Sequence, residues 1–229
     1  TGKSWEENVH SRILEPLGMT STSVNGEGSE IENGFADAGA KASTPHEFYY
    51  VKDSMHVAPL YGPEQALWWE TVIGPAGSVN SNVVDMIKYA QFHLDMGKVG
   101  DKQIISEKQM KYLHKGQTIV SQTDTYTRLY AHCWFAEQNN RYKLWFHTGT
   151  TWGFTAICAF VPELDLGLVV LCNSEVPADP RYAIMRRTID LFLGEEELKD
   201  YNTEYLEEWY KDNRNAVARS EEEAAPEQL

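Results

Sequence analysis

The densest chemistry in this 229-residue sequence lies in one ten-residue stretch, Trp145-Phe146-His147-Thr148-Gly149-Thr150-Thr151-Trp152-Gly153-Phe154. Its aromatic and β-branched composition reads as a strand that ends in His-Thr-Gly, after which the glycines allow a tight turn. Such an end gathers an imidazole, a hydroxyl and backbone amides on one sheet edge. Acyl transfer uses those groups: amides stabilise an oxyanion, while hydroxyl and imidazole hold a substrate carboxylate. Taken alone, the tripeptide also fits an ordinary strand that closes on a half-buried histidine, and that alternative stays open on these residues.

Other candidates carry less. The seven histidines show neither HExxH nor HxH spacing, and His46-Glu47 reads as a solvated loop pair. Gly26-Glu27-Gly28 lacks the rest of a phosphate loop. Cys133, Cys158 and Cys172 are odd in number and lack CxxC spacing, so they read as small core hydrophobes in strands. Trp68-Trp69-Glu70 suits a substrate cleft or plain aromatic packing. Glu207, Glu208 and Asp212 fit a solvated helix face. The expectation is therefore no metal and no cofactor.

Elements that would position the His-Thr-Gly stretch can be read around it. Ser4-Trp5-Glu6-Glu7 is a capping box, with Trp5, Val9 and Ile13 on one helical face and Pro16 and Gly18 closing the helix. From Thr20 to about Gly77 the periodicity is poor, and Tyr49, Tyr50, Tyr61, Trp68 and Trp69 could line a cleft. Gly74-Pro75-Ala76-Gly77 predicts a turn. Asn82 then caps a helix with Val83, Ile87, Ala90 and Leu94 inward, ended by Gly97. Ser106-Glu107-Lys108-Gln109 is a second capping box, with Met110 and Leu113 inward. Beyond it the period becomes two, and segments 127–136, 142–148, 153–161 and 166–173 predict strands. Their short links force antiparallel neighbours. A helix over about 179–193, with Ile184, Met185, Thr188, Leu191 and Phe192 inward, is expected to cover that sheet. The fold class is α+β.

Charge narrows the function. Lys and Arg number 20 against 34 Asp and Glu, a net −14, which disfavours nucleic acid and anionic membranes. Residues 195–229 hold 12 acids and 4 bases, a net −8 of that total. They read as an acidic helical tail or linker, with Glu221-Glu222-Glu223 frayed and a further domain expected downstream. No apolar run approaches a membrane span.

The order of these motifs resembles the serine penicillin-recognising enzymes, of the class C β-lactamase and D-alanyl-D-alanine carboxypeptidase type. Thr1-Gly2-Lys3-Ser4-Trp5 through Pro16-Leu17-Gly18-Met19-Thr20-Ser21-Thr22 looks like the segment that comes after that family's Tyr-x-Asn motif. Gly74 to Gly77 with Asp85 looks like its glycine turn and subsequent helix. Tyr130-Ala131-His132-Cys133-Trp134-Phe135 resembles its Tyr-Gly-x-Gly-Trp strand, with Ala131 and Cys133 in place of glycines. His147-Thr148-Gly149-Thr150 matches its third motif, Lys-Thr-Gly or His-Thr-Gly.

The resemblance covers residues 1–194. It implies the β-lactamase/transpeptidase-like fold, incomplete at the N-terminus, with 195–229 outside it. It gives His147 the cationic or proton-relay corner and Thr148 a hydrogen bond to a substrate carboxylate. Gly149 would keep the strand edge open, and the Thr150 amide would be one oxyanion-hole donor. The family's nucleophile lies in Ser-x-x-Lys, and no serine of this chain has lysine three residues on. No Tyr-x-Asn occurs either, so both are expected upstream of Thr1. The resemblance thus implies part of a serine hydrolase that forms an acyl-enzyme with a peptide, ester or β-lactam carbonyl, inactive as this chain alone. The rival is a non-catalytic binding or interaction module on the same fold. A periplasmic or extracytoplasmic location, a small-molecule or peptide substrate, and self-association or a complementary N-terminal fragment are expected with it.

Overall fold

Ser4 opens the first helix as its spacing predicts. Its hydroxyl accepts from the Glu7 amide at 3.1 Å, and the Glu7 carboxylate accepts from the Ser4 amide at 2.7 Å. Helix α1 (Trp5–Val9) runs through a π-helical turn (His10–Leu14) into α2 (Glu15–Leu17), and Gly18 ends it at φ 65°. In this computed structural model, residues 2–24, 43–51, 54–59, 74–151, 153–175 and 180–211 are described. Gly26 to Gly28, Tyr61, Trp68, Trp69 and Glu221 to Glu223 lie outside them.

The expected caps hold for the next two helices. The Asn82 side chain accepts from the Asp85 amide at 3.0 Å and starts α3 (Val83–Leu94). The Ser106 hydroxyl accepts from the Gln109 amide at 3.3 Å and starts α4 (Glu107–Leu113), which buries Met110 completely. Gly97 has φ 85°, and a Cβ there would strike the Ile105 carbonyl, so this turn requires glycine. Residues 74–77 form one helical turn, closed by the Ser78 hydroxyl donating to the Gly74 carbonyl at 2.7 Å.

Short strands pair in twos: β1 (Ser23–Val24) with β4 (Val79–Asn80), β2 (His46–Val51) with β3 (Ser54–Pro59), and β5 (Lys98–Val99) with β6 (Lys102–Gln103). The main sheet is antiparallel, in the order β12-β11-β10-β9-β8-β7. Its strands are β7 (Thr118–Gln122), β8 (Thr127–Tyr130), β9 (Phe135–Gln138), β10 (Lys143–Thr151), β11 (Phe154–Val161) and β12 (Leu166–Cys172). The expected strand 127–136 is two strands. The chain reverses at Ala131–Trp134, where the Ala131 amide donates to the Trp134 carbonyl at 2.7 Å and Cys133 takes φ 63°. β7 escaped the periodicity because it has no buried face; Ile119 and Val120 are both exposed.

The chain divides into two compact units. The first holds residues 1–42, 62–149 and 156–171. Within it, α3 sits between two apolar clusters. Phe92 joins Leu14, Leu17, Met19 and Met110, while Ala90 joins Ala131, Trp134 and Phe160. That double burial corrects the single inward face expected for α3: Val83 and Ile87 are exposed, and Asp85, Phe92 and His93 are buried. Gly167 of β12 lets the helix approach, since a Cβ there would lie 3.3 Å from that of Ala90.

The second unit holds 43–61, 150–155 and 172–229. Helix α5 (Pro180–Phe192) buries Arg181, Ala183, Met185 and Ile189 and leaves Ile184, Leu191 and Phe192 exposed. The buried stripe is the i, i+4 row headed by an arginine, which a count of apolar types passes over. Residues 201–211 are helical; Tyr205 lies edge-on to Tyr182 and Trp209 edge-on to Phe48.

Candidate active site

β10 alternates as a strand with one dry face must. Leu144 and Phe146 are fully buried, whereas Trp145 and His147 point the other way and are half-buried. Trp145 stacks on Phe160 with centroids 5.5 Å apart, and its indole N–H donates to the His114 carbonyl at 3.0 Å. That anchors the strand just before His147. Register then shapes the end of the strand. β9 begins at Phe135, opposite Phe146, so residues 147–151 run beyond the end of that neighbour. β10 is therefore an interior strand, and the edge expected at His-Thr-Gly is its overhang.

His147, Thr148, Gly149 and Thr150 succeed one another along this overhang. The first two are half-buried and the last two exposed. A Cβ on Gly149 would meet no atom within 4 Å. Contrary to the expectation that the strand ends at His-Thr-Gly, it continues past Gly149 to Thr151; the left-handed residue is Gly153, at φ 74°.

Both ring nitrogens of His147 are engaged. Nδ1 lies 2.7 Å from the Thr148 carbonyl, and Nε2 lies 3.3 Å from the Tyr130 hydroxyl. A carbonyl only accepts, so Nδ1 carries a proton. Phe135 stacks against the imidazole at 5.6 Å and packs edge-on to Tyr130 at 5.1 Å. Three adjacent strands thus hold one histidine ring.

His147 also lines a cavity of about 460 Å³, with Tyr89, His93, His132, Cys133 and Cys158 among its walls. His93 Nδ1 is 2.9 Å from His114 Nε2, an imidazole pair in which His93 is buried and His114 half-buried. Burial, then the His114 charge, holds His93 below the usual histidine range, and burial does the same to His114. Burial pushes the Cys158 thiol up to about 12 and raises the Tyr89 phenol as well. Tyr89, His93, His114 and Cys158 are accordingly uncharged near pH 7. No group of three or more metal-ligating side chains occurs among the described residues.

Sequence reading alone missed Tyr130 as a partner of His147, and missed the His93–His114 pair. Register alone does not give the first: Tyr130 pairs with Phe135 and Phe135 with Phe146, a row on the face opposite His147, and the contact is made where His147 runs beyond the end of β9. The second carries no signal, because the two histidines lie on separate helical segments 21 residues apart.

With its helices and six-stranded antiparallel sheet, the chain has the β-lactamase/transpeptidase fold. The sequence model of the β-lactamase family matches residues 1–191, and the chain belongs to that family. Among solved structures it resembles the octameric penicillin-binding protein homologue from Pyrococcus abyssi, with 25% identity, TM-score 0.65, and 86% of this chain and 40% of that one covered. A class C β-lactamase from Rhodobacter sphaeroides matches at 21% identity and TM-score 0.56, over 84% of this chain and 55% of that one. The D-amino acid amidase from Ochrobactrum anthropi SV3 matches at 18% and 0.55, over 97% and 52%. The chain spans about half the length of these structures.

Proposed function

We propose that residues 1–194 are the C-terminal portion of a serine hydrolase domain that forms an acyl-enzyme with a peptide, ester or β-lactam carbonyl. The observation that carries this reading is the overhang of β10, which puts half-buried His147 and Thr148 beside exposed Gly149 and Thr150. In the reaction, a serine supplied from outside these residues attacks the carbonyl carbon and its proton passes to a neighbouring base. The carbonyl π pair moves onto oxygen, and the leaving group departs as the tetrahedral adduct collapses. The Thr150 amide and the serine's own amide donate to that oxyanion. His147 and Thr148 hold a substrate carboxylate, and Gly149 leaves room for the substrate backbone. This chemistry needs no metal or cofactor.

Acylation requires the nucleophile, so the chain alone turns over neither β-lactam nor ester. The wider reading is an extracytoplasmic protein, with 195–229 leading towards a further domain. The partner proposed with it is either a second copy of this chain or a complementary N-terminal fragment. The test is covalent capture: a fluorophosphonate probe applied to the full-length protein, then peptide mass spectrometry. Label on a serine outside residues 1–229 is expected. Label on a serine within them contradicts the assignment, and no label on any serine favours the non-catalytic module that the missing Ser-x-x-Lys allows.

A further inference from the structure

The cavity beside His147 has no use in the reaction steps given above. Its volume of about 460 Å³ lies within the range of small-molecule pockets, about 300–1,000 Å³. Its inner wall belongs to a core cluster, in which Trp134 and Cys158 are buried and Met86, Tyr89 and Val169 pack against them. Leu171, 38% exposed, stands where the wall meets solvent.

Strand geometry ties the cavity to the overhang. Side chains alternate along β10, so Trp145, His147 and Gly149 share one face. His147 lines the cavity, and a Cβ on Gly149 would meet no atom within 4 Å, which leaves that face clear two residues further on. A substrate backbone laid along residues 147–149 therefore has open space on the face that leads to the cavity.

Charge decides what enters. Among the described residues no aspartate, glutamate, lysine or arginine lines the cavity. Burial keeps His93 and the Cys158 thiol uncharged near pH 7 and raises the Tyr89 phenol. Two imidazoles remain, His147 and His132. Both are half-buried, and His132 stacks on exposed Tyr112 at 4.4 Å. Any charge that either one carries is positive. A cationic group therefore meets no anion here, whereas a neutral apolar group meets Met86, Trp134 and Val169 and asks nothing of the two histidines. Tyr89 and Trp134 supply aromatic wall, which suits a phenyl-sized group.

We propose that this cavity receives the neutral, apolar side chain of the substrate, of phenyl size, and selects against cationic side chains. The proposal rests on the acyl-transfer reading only in saying which molecule carries that side chain; the selectivity itself needs no chemistry.

Calorimetric titration of the full-length protein tests it with three probes that differ only in side chain: N-acetylglycinamide, racemic N-acetylphenylalaninamide and racemic N-acetyllysinamide. None has a carboxylate, so a carboxylate site at the strand end plays no part. Burial of the phenyl group should tighten binding about tenfold to a hundredfold over the glycine probe, and the lysine probe should bind no better than glycine. Leu171→Asp places a carboxylate on the exposed rim. It should weaken the phenylalanine probe and tighten the lysine probe, each about tenfold, and a gain for one ligand cannot come from a misfolded protein. Ala156→Phe, which fills the space from β11, should bring the phenylalanine probe down to the glycine level.

Equal or absent binding of the three probes, the result if an upstream segment or a second copy fills the cavity, overturns the proposal. So does an unaltered order of affinities in Leu171→Asp. Discrimination among the probes with no acyl-enzyme on any serine refutes the proposed function and upholds the pocket. Acyl-enzyme formation without discrimination refutes the pocket and upholds the function.

Discussion

At the scale of single residues, the turn that carries Tyr130 to its place is held at a cost. Cys133 sits at φ 63°, where a Cβ crowds the backbone by roughly 1 kcal/mol, and where the related motif has glycine. Cys133→Gly relieves that crowding, offset in part by the greater freedom of glycine in the unfolded chain. A net gain of about 0.5 kcal/mol is expected, read as a rise of one or two degrees in Tm. A fall would show that the thiol's contacts along the cavity wall outweigh the strain. The chemistry at this scale was legible where it was contiguous: His147 to Thr150 stand in one run. Tyr130 was legible as part of a motif but its contact with His147 was not, because that contact is made where His147 runs beyond the end of β9.

Between elements, two buried polar groups do what apolar patterning cannot show. Asp85 is 2% exposed, and its carboxylate accepts from the Ser21 amide at 2.8 Å, the Thr22 hydroxyl at 2.9 Å and the Lys88 ammonium at 2.8 Å. Burial alone would raise its pKa. The Lys88, Ser21 and Thr22 hydrogen bonds outweigh that and hold it below the usual carboxylate range. It thereby ties the segment after α2 to the first turn of α3. Asp85→Ala leaves those donors unpaired and should cost about 2–3 kcal/mol, measured by urea unfolding. A loss under about 1 kcal/mol would mean that water replaces the carboxylate.

The His93–His114 pair joins α3 to the residue after α4 in the same hidden way. Burial first, then mutual charge, lowers His93 to about 3, and burial lowers His114 to about 4. An unfolded histidine binds its proton near pH 6.5. The unfolded state therefore carries more protons as pH falls below that value, and the pair's stability, complete above it, is lost on the way down to pH 4 and 3. The urea midpoint should drop between pH 6.5 and 5, before carboxylates contribute, and drop less in His114→Gln. A flat midpoint over that window contradicts a pair held neutral in the folded state. The capping box at Ser4, the Asn82 and Ser106 side-chain caps and four strand regions were legible because each is local, whereas the reciprocal Gln109 bond of a second box is not among the described contacts. The inward faces of α3 and α5 were not, since a buried aspartate and a buried arginine break the apolar count.

For the whole molecule, the order of motifs pointed to the family whose model matches residues 1–191, and the charge sum only disfavoured nucleic acid and anionic membranes. Neither could place the acidic tail. Residues 201–211 form a helix whose Tyr205 and Trp209 lie 6.2 Å, between ring centroids, from Tyr182 and Phe48. The sequence shows the tail's charge but not those two ring contacts. Hydrogen exchange should find amides 205–210 protected, and less so in a Tyr205→Ala, Trp209→Ala double variant. Full exchange within seconds in the wild type would mark a separable linker from 195 onward.

The central claim is that the β10 overhang holds a substrate carboxylate for acyl transfer, and one comparison tests it most directly. kcat/KM is measured for a carboxylate-bearing substrate and its neutral analogue, in the full-length protein and in its His147→Ala variant. A charge-assisted hydrogen bond contributes roughly 1.5–3 kcal/mol, so the variant should lose about tenfold to a hundredfold on the carboxylate substrate and distinctly less on the neutral one. Equal losses on both would place His147 in the bond-making chemistry, and no loss on either would leave it an ordinary strand-end histidine.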